Sequence, residues 1–146
     1  MKTALPDVNV LIAMAWPNHE NHRIAREWFS DEGRKSWATC PMTQAGFIRI
    51  SSNPVIVDDA AAPETARKLL THLSAMPGHR FWPDDLDFTQ MERIPAALFH
   101  GHRQATDAYL LMLAAAHNGR LVTLDKGLVN AVVGLNLESS LMLLSG

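Results

Sequence analysis

Between Thr106 and Asn118 the chain is apolar almost all the way round a helical wheel, through Ala108, Leu110, Leu111, Met112, Leu113, Ala114, Ala115 and Ala116. A helix with so little polar face has to be covered on more than one side. Gly119 follows it where a helix C′ residue is expected, and Leu121–Leu124 then reads as a short strand. A buried helix feeding directly into a strand calls for a layered fold with other elements packed around both.

The rest of the chain supplies them by alternation. Thr3–Leu5 reads as a strand stopped by Pro6, and Val8–Ala15 as a helix. Asn18 or Asn21 is placed to cap a helix running to about Phe29, with Ile24, Ala25, Trp28 and Phe29 on its apolar side. Ser36–Cys40 is a second strand, and Thr43–Ser51 a helix ended by Asn53 and Pro54. After a loop over 55–63, Pro63 opens a helix through Leu69, Leu70 and Leu73, stopped at Pro77 and Gly78. His79–Trp82 is a third strand, Phe88–Phe99 a helix bent or started at Pro95, and Leu141–Leu144 a fifth strand. Strands alternating with helices predict an α/β fold, a parallel sheet with helices on both faces. Ligands of such sheets bind outside the carboxyl ends of the strands.

Three acids stand there. Asp7 directly follows the first strand, Asp125 directly follows the fourth, and Asp107 opens the buried helix. Each alone is an ordinary helix-capping residue, although Thr106 can cap the buried helix in place of Asp107. Together at one sheet edge they repel one another unless protons or a cation neutralise them. Oxygen ligands without a matching His or Cys pattern favour Mg²⁺ or Mn²⁺ over zinc. Asn9 and Thr123 are positioned to hydrogen-bond these carboxylates or a water, and Arg49 and Arg103 are candidates for phosphate contact.

These same segments resemble the PIN-domain ribonucleases, and within them the VapC-like toxins of type II toxin–antitoxin pairs. The resemblance rests on four stretches in order: Leu5–Ile12, Ala38–Gln44, Thr106–Leu110 and Leu121–Asp125. It covers nearly the whole chain and implies one PIN-like domain over residues 1–146 with a parallel five-stranded sheet. It implies hydrolysis of an RNA phosphodiester by a metal-activated water, with Asp7 and Asp107 as the central Mg²⁺ ligands and Asp125 binding directly or through water. It also implies a homodimer and a VapB-like antitoxin partner. The family usually carries a glutamate in the second stretch, where this chain has Gln44. Gln44 is therefore expected at the fourth corner of the site, where an amide would weaken metal binding or leave an inactive RNA- or protein-binding module.

Composition narrows the alternatives. The 146 residues are 47% hydrophobic and 19% charged, enough for one well-filled core with surfaces to spare for a partner. The net charge of −2 argues against a general polyanion binder. Cys40 is the sole cysteine and reads as a buried strand residue, which fits a reducing compartment. No apolar run approaches the roughly 20 residues of a membrane span, and Pro6 and Asp7 interrupt any signal-like opening, so the cytoplasm is expected. The histidine pairs His19/His22 and His100/His102 lack the spacing that puts two ligands on one helix face. Trp82, ahead of Pro83, Asp84 and Asp85, is expected to cover a partner. A haloacid-dehalogenase-like phosphatase would carry a second aspartate two residues after Asp7, where Asn9 stands.

Overall fold

The computed structural model describes residues 2–57, 59–90, 98, 101 and 104–145. Five strands, β1 (Ala4–Pro6), β2 (Trp37–Thr39), β3 (His79–Phe81), β4 (Arg120–Thr123) and β5 (Leu141–Leu143), form one sheet. Its spatial order is β3-β2-β1-β4-β5, and every neighbouring pair is parallel. The helices are α1 (Val8–Ala15), α2 (His22–Asp31), α3 (Pro41–Ser51), α4 (Pro63–Ser74), α5 (Gln104–Ala116) and α6 (Lys126–Ala131).

Side chains alternate across the strands, and the core divides accordingly. Ala4, Trp37 and Val122 point to the face covered by α1–α4, where Leu11, Met14, Phe29, Phe47 and Leu70 pack. Leu5, Ala38 and Leu121 point to the opposite face, where α5 and α6 bring Tyr109, Leu110, Leu113 and Leu128. The expected parallel sheet with helices on both faces is what forms. Among the described residues no helix is long and apolar enough to cross a membrane.

Several local expectations change. α5 starts at Gln104, so Thr106 lies inside its first turn and does not cap it. Its C-terminus closes on Asn118 (φ 54°) as C′, with the Asn118 N–H bonded to Ala115 O (3.1 Å) and the Gly119 N–H to Ala114 O (2.8 Å). Gly119 is required for a different reason, because a Cβ there would stand 2.5 Å from Thr3 O and 2.9 Å from the Trp82 ring. That close approach lets α5 turn into β4 hard against the start of β1. α3 begins at Pro41, two residues early, because proline fits the first helical position. Asn21 precedes α2 but makes no side-chain cap bond. α6 is an addition to the expected elements. Phe88–Gln90 is a 3₁₀ turn, and most of the helix expected over 88–99 lies outside the described residues. Trp82 is buried and stacks on the His117 ring at 4.2 Å, so it is a core residue and not a partner-covering one. Cys40 is buried, as expected.

Candidate active site

The chain runs β1, β2, β3 in one direction across the sheet and then returns to place β4 on the other side of β1. The crevice between the carboxyl ends of β1 and β4 is therefore the topological switch point, where open parallel sheets bind ligands. Asp7 and Asp125 leave those two strands. The Asp7 N–H is bonded to Val122 O (2.9 Å), which extends the β1–β4 ladder by one step before α1 begins. Asp107 reaches the same crevice from the first turn of α5. An open cleft of about 410 Å³ holds all three, walled by Val8, Asn9, Ile50, Thr106, Leu110 and Leu124.

Both strand-end acids are also N-caps. Asp7 Oδ1 accepts from the Val10 N–H and Asp125 Oδ1 from the Gly127 N–H, each at 2.8 Å. Such caps contribute about 1 kcal/mol each, and they leave the second oxygen of each carboxylate available to a ligand. Their surroundings differ. Asp7 is 7% exposed. Burial pushes its carboxyl up to about 6 against the downward pull of the Val10 N–H and the Thr123 hydroxyl, and the negative charges of Asp107 and Asp125 push it the same way. Asp107 is half-buried, and burial followed by the charge of Asp125 holds its carboxyl above the usual range. Asp125 is exposed.

Thr123 joins the two caps. It is fully buried; its hydroxyl accepts the Asp125 N–H at 3.0 Å, and its presence lowers the proton affinity of the Asp7 carboxyl. Asn9 lines the cleft from α1, and its Oδ1 meets His19 Nε2 at 3.0 Å.

Gln44 is elsewhere. Its Nε2 donates to Thr39 Oγ1 (3.1 Å), and it lines a separate cavity with Ile48, Arg67, Leu70 and Thr71, between α3 and α4. The helical repeat decides this: residues 44 and 48 share the side of α3 that looks at α4, whereas Gly46 and Ile50 look toward α1. A Cβ on Gly46 would stand 2.6 Å from Val8 Cγ2. Gln44, expected at a fourth corner, is thus not among the described residues lining the cleft, to which α3 contributes Ile50. Arg49 is exposed at the end of α3 and does not line the cleft. Arg103 lies outside the described residues. Sequence reasoning missed the apolar walls; Ile50 was recognisable only as one of many helical apolar residues.

The donor set suits a hard divalent cation. Three carboxylates, two of them with raised proton affinity, share a cleft with no lysine or arginine among its described lining residues. Among the described residues no three His, Cys, Asp or Glu side chains stand close enough together to hold one metal ion, so the three acids share the cleft without forming a ready-made three-ligand site. A divalent cation in this cleft would be held by one or two of these carboxylates and would keep water in its remaining positions.

Comparison with known proteins gives the same direction. The PIN domain family matches residues 4–133. Ribonuclease VapC39 of Mycobacterium tuberculosis is 43% identical over 129 residues, covering 88% of this chain and 93% of the relative. Ribonuclease VapC38 of the same organism is 47% identical over 124 residues, covering 85% and 86%. Ribonuclease VapC29 is 42% identical over 130 residues, covering 88% and 90%. With all three carboxylates of the switch point on the matched segment, the chain belongs to the PIN-domain family and, within it, to the VapC-like ribonucleases.

Proposed function

We propose that the protein is an Mg²⁺-dependent endoribonuclease, the toxin of a type II toxin–antitoxin pair, with Mn²⁺ able to replace Mg²⁺. The observation that carries this reading is the gathering of Asp7, Asp107 and Asp125 in one cleft at the β1/β4 switch point. Asp7 and Asp107 would hold the cation with their free carboxylate oxygens. When bound, it lowers the pKa of a water and offsets charge gathering on the phosphate. Asp125, exposed and capped through one oxygen only, holds the attacking water through the other and takes its proton. The water oxygen bonds to phosphorus as the bond to the 3′-oxygen breaks. The products are a 5′-phosphate and a 3′-hydroxyl that takes a proton from solvent.

Thr123 keeps Asp7 and Asp125 in register with each other. Asn9 offers amide N–H donors at the cleft wall, where a phosphate oxygen can accept them. The partners of this reading are RNA, a VapB-like antitoxin and a second copy of the chain. The test is cleavage of a mixed tRNA, rRNA and mRNA pool by wild type, Asp7→Ala and Asp107→Ala, with Mg²⁺, Mn²⁺ or EDTA. Metal-dependent cleavage by wild type alone is expected. Equal cleavage by all three proteins, or none by wild type, would sink the reading.

A further inference from the structure

The acid cleft does not end at the acids. On its α1 side it shares Asn9 and Ile50 with a second cavity of about 450 Å³. On its other side Asp107 and Asp125 also wall a smaller cavity of about 220 Å³ that runs along α6. Through these shared walls the three cavities lie side by side, with the carboxylates at the middle one. A polymer lying across them with one phosphodiester at the carboxylates must place a neighbouring nucleotide in the cavity beyond Asn9.

That cavity has the wrong chemistry for a phosphate. None of its described lining residues is a lysine or an arginine, and two are carboxylates, Glu20 and Asp59. Its inner wall is apolar, with Ile12, Trp16 and Ile50. Ile56 is 60% exposed and its neighbour Val55 91%, so the rim keeps apolar surface in solvent. Trp16 is held by its indole N–H, which donates to Ser51 Oγ at 2.9 Å. A fixed aromatic ring in an apolar slot is how proteins receive an unstacked base.

The polar groups at the rim are also fixed. The Asn21 N–H donates to His19 Nδ1 (3.0 Å), so the ring proton sits on Nε2 and is donated to Asn9 Oδ1. Burial lowers the proton affinity of His19 and favours this neutral form. The Asn9 amide therefore turns its N–H donors, not its oxygen, to the boundary between cavity and cleft. Glu20 and Asp59, on the lining of the same cavity, bring carboxylate acceptors.

We propose, resting on the RNA-cleaving reading, that this cavity is a nucleobase subsite. It takes the base next to the scissile phosphate, stacked on Trp16, with an amino-bearing edge turned to Glu20 and Asp59. Guanine presents the fullest such edge, its N1–H beside an amino group, and adenine and cytosine each present one amino group. Uracil flanks its single N–H with two carbonyl oxygens that the carboxylates repel, so it is disfavoured.

The test measures binding of hexa-adenylate, hexa-cytidylate and hexa-uridylate by tryptophan quenching, in the Asp107→Asn background so that turnover does not intrude. The expected result is binding of the adenine and cytosine oligomers about fivefold or more tighter than the uridine one. Trp16→Leu should weaken the preferred oligomers about tenfold, followed by competition with a labelled oligomer. Glu20→Gln with Asp59→Asn, two exposed changes without a fold role, should abolish the preference. Equal binding of the three oligomers, or a preference that survives the double variant, overturns the subsite. So does Trp16→Leu protein that binds RNA normally but loses an amphipathic peptide ligand, which would make the cavity a protein-docking surface. Base preference without metal-dependent cleavage by wild type sinks the nuclease reading alone; cleavage without base preference sinks the subsite alone.

Discussion

Asp7 and Asp125 are built by the same local rule and end in different environments. Each leaves a parallel strand and caps the helix that follows through Oδ1 at 2.8 Å. Asp7 is buried under Val8, Leu110 and the neighbouring strand, while Asp125 caps the two-turn α6 in the open. The difference separates two roles that a carboxylate can have in one cleft. A buried one is costly to ionise without a cation and so favours metal. An exposed one stays available to water. Substitutions at the two positions should therefore differ in kind as well as in size.

Activity shows the largest separation. Asn at either position keeps the cap and removes only the charge. Asp7→Asn should lower kcat by about 10³-fold, the loss of a charge that acts in the transition state, and extra Mg²⁺ should restore little. Asp125→Asn should cost about 10²-fold, as for loss of a proton acceptor, and should change the pH–rate profile. Equal losses, with unchanged profiles, would erase the distinction between the two caps.

Stability comes next. The Asp7 carboxyl sits at about 6 in the fold against 3.8 as its ordinary value. Between those values the folded state binds more protons than the unfolded chain, so stability falls as pH rises through that window. Above it the full cost of ionising Asp7 is present, about 3 kcal/mol in the metal-free protein. Asp7→Asn should therefore stabilise the metal-free protein at pH 7.5, and the two proteins should converge near pH 3.5. Mg²⁺ or Mn²⁺ should raise the Tm of wild type much more than that of Asp7→Asn. Urea titrations at both pH values check the sign: a destabilised Asp7→Asn at pH 7.5 would contradict it.

Thr123 tests the bridge itself. Thr123→Val leaves the shape and removes a buried hydroxyl that accepts the Asp125 N–H and favours the ionised Asp7 carboxylate, at an expected cost of about 1–3 kcal/mol. Without its donor, the Asp7 carboxyl should rise further, moving the window of falling stability to higher pH. A variant that loses stability but keeps the wild-type pH dependence would make Thr123 a packing residue only.

How much of this is legible in the sequence follows from what each signal encodes. Alternating periodicity announces the α/β sheet, and the apolar helix α5 announces that both faces are covered. The three acids are visible because they stand at element boundaries, which Pro6 and the β4 run make conspicuous. Spatial strand order is not a local property, so the switch point between β1 and β4 is out of reach; so is the burial that separates Asp7 from Asp125. α6 is only six residues long, too short for a helical period to stand out. Gly119 reads as a cap because glycine is the usual left-handed residue, yet Asn118 takes that conformation and Gly119 serves a close contact.

Gln44 is suggested by its place in a motif, and a motif does not say which way a helix is turned. On α3 the side chains at 44 and 48 look at α4, and only the Gly46 and Ile50 side reaches α1 and the cleft. A carboxylate at 44 would stand beside Arg67 and Thr71 on the far side of the helix. Gln44→Glu should therefore leave Mg²⁺ affinity and kcat within about twofold of wild type, a surface change worth no more than ~0.5 kcal/mol. Calorimetric titration of both proteins with Mg²⁺ reads this directly. Binding tightened tenfold by the new carboxylate would mean that α3 turns its 44 position into the cleft when the cation arrives, and the comparison of two caps would have to become one of three corners.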